Sequence, residues 1–243
     1  MLSERRVLDA GLVRLLAVLG DDGTPVDAAR VSFEKRARRL PDGRVDPREE
    51  RLLRFLMTRG HWSPFRHAVL QFEIYAPLMV IRQWGKYRVG SVWAFGDSDC
   101  PLETWNESSR RYVTEEVRFH VPDSWRSAPE SRKQGSGPPV AEEISDLYRT
   151  LLQDHVRRSL ELYEAALSDG LAPEQARLFL PAYSLYVRAW WTVSLQGVLH
   201  FLSQRLAEDA QKEIREYAQA VAEMVEERFP LVMKVWRETG GKA

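Results

Sequence analysis

The sequence holds one cysteine in 243 residues, Cys100. No disulfide framework and no thiolate metal cluster can be built within the chain from it, and a reducing cytoplasm is the compartment this suits. An excess of charge is lacking as well: Lys+Arg and Asp+Glu are both 35. A general nucleic-acid binder carries a basic excess, so that class is set aside, whereas a small anion held by a few arginines is not. No run approaches the roughly twenty apolar residues of a membrane span. The opening MLSERRVLDA lacks the apolar core and small-residue cleavage site of a signal peptide. What remains, 44% hydrophobic and 29% charged, is ordinary for a soluble globular chain and sufficient to bury a full core. A single domain is expected, with a flexible Ser-, Pro- and Gly-rich loop at about 123–140.

Helical patterning dominates what is present. DPREERLLRFLMTRG (46–60) begins with Asp46 as N-cap and Pro47 at the first helical position, sets Glu49 where a capping box wants it, and stops at Gly60. Leu52, Leu53, Phe55 and Leu56 supply its buried stripe. HAVLQFEIYAP (67–77) alternates, with Ala68, Leu70, Phe72 and Ile74 on one face, and predicts a half-buried strand ended by Pro77. A helix over 77–88 follows, then a loop over 92–104 and an extended stretch over 111–122. Helices are expected over 141–169, about 174–204 and 206–238. Ile144, Leu147, Leu151, Leu152, Val156, Leu160 and Tyr163 recur at helical spacing in the first of these. The fold class is α+β: a long-helix bundle packed on a small, mostly antiparallel sheet.

WNESSRRYV (105–113) is the densest polar stretch. The guanidiniums of Arg110 and Arg111 with a hydroxyl can hold phosphate through charge-assisted bonds, and backbone amides around Ser108 to Arg110 can add an anion nest. Asn106 and Glu107 suit a flat heterocycle or a sugar hydroxyl instead. The stretch therefore reads as both ends of a nucleotide; a helix cap with a salt bridge fits the same composition. RQWGKYRVGS (82–91) mixes Arg82, Lys86 and Arg88 with Trp84 and Tyr87, which suits a phosphate-bearing cofactor with a flat ring, or a surface helix with snorkelling basic chains. His61 and His67 lack zinc spacing, so no metal is expected; Ser63 between them can contact a ligand phosphate. Arg177 sits in an apolar run, either against a carboxylate or facing an anion. Gln196, His200 and Gln204 make a polar stripe on an otherwise apolar helix, as at a subunit interface or ligand groove. Arg205 and Asp209 are spaced to pair. Cys100 has Asp97 and Asp99 nearby, which would raise its pKa and argue against a catalytic thiolate.

Six segments in order, AARVSF (28–33), GHWSPFRH (60–67), APLMVIRQW (76–84), NESSRRY (106–112), ARLFLP (176–181) and WTVSLQGVLHFLSQRLAEDAQKEI (191–214), resemble the flavin-dependent thymidylate synthases. The resemblance implies reductive methylation of dUMP to dTMP with methylenetetrahydrofolate, FAD and NADPH. It implies dUMP contacts at Gln83, Lys86, Glu107, Ser109, Arg110, Arg111, Arg177, Gln204 and Arg205, with Arg205 and Arg177 as the catalytic arginines. It implies FAD contacts at Ser32, Ser63, Lys86, Tyr87, Arg88, Glu107, Ser194, Gln196, His200 and Asp209, and a homotetramer whose active sites are shared between subunits. There are departures. Lys86, Tyr87 and Arg88 stand at the family's Arg-His-Arg triplet, and residues 92–105 are inserted after it. Ser194, Gln196, His200 and Asp209 stand where the family often has Asn, Arg, Asn and His, one arginine fewer for the flavin. The alternative reading is a catalytically impaired homologue that still binds dUMP and flavin.

Overall fold

The computed structural model describes residues 3–86, 103–109, 117–129 and 135–241. A hairpin of β1 (Glu4–Val7) and β2 (Gly11–Leu19) leads to α1 (Gly23–Arg30) and α2 (Glu50–Thr58). Next, β3 (Val69–Pro77) runs directly into α3 (Leu78–Trp84). Beyond β4 (Glu103–Glu107), α4 (Glu142–Ser168) and the short α5 (Pro173–Ala176), β5 (Tyr186–Ser194) runs directly into α6 (Leu195–Arg205). Helices α7 (Lys212–Arg228) and α8 (Pro230–Glu238) follow. The strands form one sheet in the order β1-β2-β3-β5-β4, each pair antiparallel, so the chain has the expected α+β class.

One face of the sheet carries the core. Leu70, Phe72, Ile74 and Ala76 are fully buried there, as the alternation in 67–77 requires, and Val187, Ala189, Trp191 and Val193 of β5 lie beside them. Trp84 of α3 stacks on Phe201 of α6 (centroids 4.5 Å apart) and meets Trp191 edge-on at 5.4 Å. The Tyr217 hydroxyl of α7 donates to the Tyr75 carbonyl (2.8 Å). That hydroxyl lies 1.8 Å from where a Cβ on residue 11 would stand, so the position admits only glycine. On the opposite face, Glu73 is buried between the guanidiniums of Arg14 and Arg188, a paired rather than an isolated charge. Asp9 accepts from the Tyr186 hydroxyl (2.5 Å) and pairs with His120 Nδ1 (2.7 Å), which ties residues 117–122 to the sheet.

Several expectations are revised. The helix expected over about 174–204 is interrupted by β5, because YVRAWWTVS is rich in aromatic and β-branched residues and finds a nine-residue partner in β3. Glu103 and Thr104, expected in a loop, begin β4 on the outer edge of β5. Asp46 caps alone, accepting from the Arg48 amide (2.9 Å) in a 3-10 turn ahead of α2. Glu49 is no capping-box partner; its buried carboxylate takes the Arg30 guanidinium at 2.9 and 2.6 Å. Phe55 falls outside the buried stripe and is half exposed. The α4 stripe divides: Tyr163 and Ala166 bury against Ala176 and Leu180, whereas Ile144, Leu147 and Leu151 are 47%, 55% and 51% exposed. Within the expected flexible loop, Ser127 and Val140 donate backbone bonds to Pro138 and Trp125. Among the described residues no helix is long and apolar enough to cross a membrane.

Asp22 joins the two ends of the fold. Its buried carboxylate accepts the amides of Leu231 (3.1 Å) and Val232 (2.8 Å) at the start of α8. Burial outweighs these bonds and pushes the carboxyl up to about 6. The folded state therefore binds this proton more tightly than the unfolded chain, and stability is gained as pH falls through 6 and lost as it rises again. Urea unfolding at pH 5 and pH 7 is expected to differ by about 1 kcal/mol through this group, an increment absent in Asp22→Asn.

Candidate active site

Helices α3 and α6 leave the β3–β5 ladder at opposite ends and approach each other over the core face, so their C-terminal ends meet. Arg205, in the last turn of α6 and 7% exposed, donates to the Gln83 carbonyl at the end of α3. The Gln83 carboxamide donates to Gln211 Oε1, and Gln211 Nε2 donates to Glu213 (2.7 Å). Glu213 takes the Arg126 guanidinium at 2.7 and 3.0 Å, and Arg126 Nε donates to Ser136 Oγ (2.7 Å). Burial pushes the Glu213 carboxyl up, but the bonds from Gln211 and Arg126 outweigh it and hold the group below the usual carboxylate range. This chain of contacts walls a cleft of about 600 Å³. Gln83, Lys86, Gln204, Arg205 and Asp209, all singled out in the sequence, line it, and Arg126 adds a third cation.

The β4 segment approaches the same helices. Glu103 accepts from the Trp191 indole (3.0 Å) and Trp105 lies 6.4 Å from Trp84. Strand alternation therefore sends Glu107 to that face too, exposed at the strand's end. Just past the ladder the Ser108 amide donates to the Arg188 carbonyl (2.8 Å) and its hydroxyl accepts from the Arg188 amide (3.0 Å), so the first half of WNESSRRYV is strand and not a helix cap. Ser109, half-buried, comes next. Tyr87, Arg88, Cys100, Arg110 and Arg111 lie outside the described residues.

The remaining candidates gather elsewhere. Ser63, itself exposed, opens a 3-10 turn, Ser63–His67, that buries Pro64 and Phe65 and packs on α6 and β5. From this turn Arg66 Nε donates to Gln196 Oε1 (2.6 Å), setting a guanidinium beside the position where the family often carries one. His200 stands half-buried one turn further along α6. Hydroxyl, guanidinium, carboxamide and imidazole on mutually packed elements form a donor set that fits the polar parts of a flavin dinucleotide. Ser194 is fully buried and its hydroxyl accepts from the Gly197 amide (3.2 Å), so it caps α6 instead of meeting a cofactor. Ser32 is exposed in the turn after α1. Arg177 is exposed, donates to the Glu174 carbonyl (3.2 Å) and does not line the cleft. The expected Arg205–Asp209 pairing fails because α6 ends at Arg205 and the helical spacing ends with it. The sequence reading missed Arg66 and Arg126, whose partners stand 130 and 87 residues away.

The family model described as thymidylate synthase complementing protein matches residues 14–231. A flavin-dependent thymidylate synthase of Thermus thermophilus is 38% identical over 96% of this chain and 77% of its own. One of Thermosipho africanus is 33% identical over 93% of this chain and 91% of its own. Among solved structures, the UMP/dUMP methylase PolB of Streptomyces cacaoi, bound with 5-Br dUMP, superposes with a TM-score of 0.76 at 26% identity, covering 98% of this chain and 99% of that one. The matched span takes in α3, β4, α6 and the whole cleft they build, and the chain belongs to the flavin-dependent thymidylate synthase family.

Proposed function

We propose that this protein methylates dUMP reductively to dTMP in the cytoplasm, with methylenetetrahydrofolate as carbon donor, FAD as hydride carrier and NADPH as reductant. The observation that carries this reading is the convergence of Gln83, Lys86, Gln204 and Arg205 on one cleft, in a chain whose near full-length relatives are named for that chemistry. Uracil and sugar would lie at the Gln83–Arg205 end, with the phosphate toward Lys86, Ser109, Arg110 and Arg111. The bond from Arg205 to the Gln83 carbonyl fixes its guanidinium before substrate arrives. A guanidinium held at a uracil carbonyl stabilises the negative charge that develops as the ring is activated. Glu107 orients the nucleotide from the end of β4. A bound flavin supplies the hydride chemistry. Ser32, Ser63, Lys86, Tyr87, Arg88, Glu107, Gln196, His200 and Asp209 would hold it, with Arg66 supplying a cation beside Gln196.

The working unit in this reading is a homotetramer with shared sites. Arg177 stands outside the cleft of its own chain, so its contact with the nucleotide would cross a subunit boundary. Ile144, Leu147 and Leu151 expose an apolar stripe on α4 of the kind that subunit contacts bury.

Protein supplied with FAD, NADPH, methylenetetrahydrofolate and dUMP is expected to form dTMP, scored by chromatography; flavin and dUMP binding without dTMP would favour the impaired homologue. Arg111→Ala is expected to weaken dUMP binding by about 2–4 kcal/mol in calorimetry, since a charge-assisted phosphate contact goes. Arg205→Lys keeps the charge but not the planar fork, and should lower kcat by about 100-fold while flavin absorbance is retained. Leu147→Glu with Leu151→Glu is expected to shift sedimentation to species smaller than a tetramer with helicity intact.

A further inference from the structure

Apart from the nucleotide cleft, the chain between α1 and α2 encloses a second pocket of about 730 Å³. Its floor is the Arg30–Glu49 ion pair, and Glu49 also takes the Arg38 amide (2.9 Å). Its rim carries the exposed rings of Phe33 and Phe55 with the cations Lys35, Arg38 and Arg51. Glu49 is engaged by Arg30, and among the described residues neither Lys35 nor Arg51 has an ion-pair partner, so the rim keeps its positive charge. Exposed phenyl surface beside Lys35 and Arg51 suits a ligand with an aromatic body and anionic groups.

The pocket adjoins the proposed flavin contacts on two sides. Ser32 directly precedes Phe33, and the Phe55 ring lies 5.8 Å from that of His61, two residues ahead of Ser63. Helix α1 packs against the Ser63–His67 turn between them. The nature of the anion follows from the backbone. Rim amides are consumed within the fold: Glu34 donates to the Val31 carbonyl (3.1 Å), Lys35 to the Arg30 carbonyl (3.4 Å) and Ala37 to Asp27 Oδ1 (2.6 Å). Pyrophosphate sites draw on free backbone amides, which these residues do not offer. Side-chain cations spread along a rim instead suit carboxylates repeated along a flexible chain.

We propose that this pocket receives the aminobenzoyl ring and γ-linked glutamyl tail of the folate carbon donor, a reading that rests on the dTMP-forming activity proposed above. The methylenetetrahydrofolate KM is compared for donors with one and five glutamates, in wild type and in Lys35→Gln/Arg51→Gln. The wild-type KM should be about tenfold lower for the longer tail, a ratio that a few exposed ion pairs supply. The ratio should fall to near one in the double variant and in wild type at high salt. Equal KM values in wild type, or a ratio that survives the double substitution, overturn the assignment. Loss of flavin absorbance in the variant with the ratio unchanged would give the pocket to the dinucleotide and overturn it likewise. If neither donor yields dTMP, the activity proposal fails by itself, and equilibrium dialysis of the two folates against the two proteins decides the pocket by the same ratio.

Discussion

The antiparallel ladder between β3 and β5 is the constraint on which the cleft depends. It pairs Val69 with Ser194 at one end and Pro77 with Tyr186 at the other, without a shift. Neither strand is followed by a loop: α3 begins at Leu78 and α6 at Leu195. The two helices therefore start at opposite ends of a ladder about 26 Å long. Seven residues of α3 and eleven of α6 rise about 10 and 16 Å. Their lengths suffice to close that distance, and Trp84 and Phe201 meet over Trp191. A slip of one residue in the ladder would put Trp191 on the opposite face from Phe72 and separate Gln83 from Arg205.

Helix ends that meet by their C-termini create an electrostatic problem for an anionic ligand. Both present the negative pole of the backbone dipole. The cleft answers with side-chain cations: Lys86 just past α3, Arg205 in the last turn of α6, and Arg126 carried in by the loop. Arg205 serves both needs, since it bonds a carbonyl at the end of α3 while keeping its charge at the cleft. Arg126 is offset by Glu213, so its location is fixed more firmly than its net charge. The site is therefore assembled from whole-fold geometry, with charge added where the backbone is least hospitable to it.

Legibility in the sequence followed locality. The alternation of 67–77 made β3 and its buried face readable, because one face packs and the other stays partly solvated. The β5 strand escaped reading: an apolar run flanked by helical patterns resembles a helix until its partner is known, and that partner lies over a hundred residues earlier. The α4 stripe was legible as apolar but not as outward-facing, since periodicity reports amphipathicity and not what covers the face. In the cleft, Gln83, Lys86, Gln204 and Arg205 were legible through ordered motifs. Arg126 was not, because DSWRSAPESRKQGSGPPV carries the composition of a loop and gives no sign of Glu213 as its partner.

The bonds from Asp22 to residues 231 and 232, with the seating of Tyr217 against Gly11, join β2 and the start of α1 to helices made about two hundred residues later. On the ribosome, β1, β2 and β3 emerge long before β5 and α7 exist to cover them. The nascent hairpin must wait with an apolar face uncovered and one strand edge open, a state prone to wrong partners. Closure of the sheet thus waits until β5 and α7 have been made, and the long sequence separation of its partners makes that step slow, with the window for holding chaperones before it.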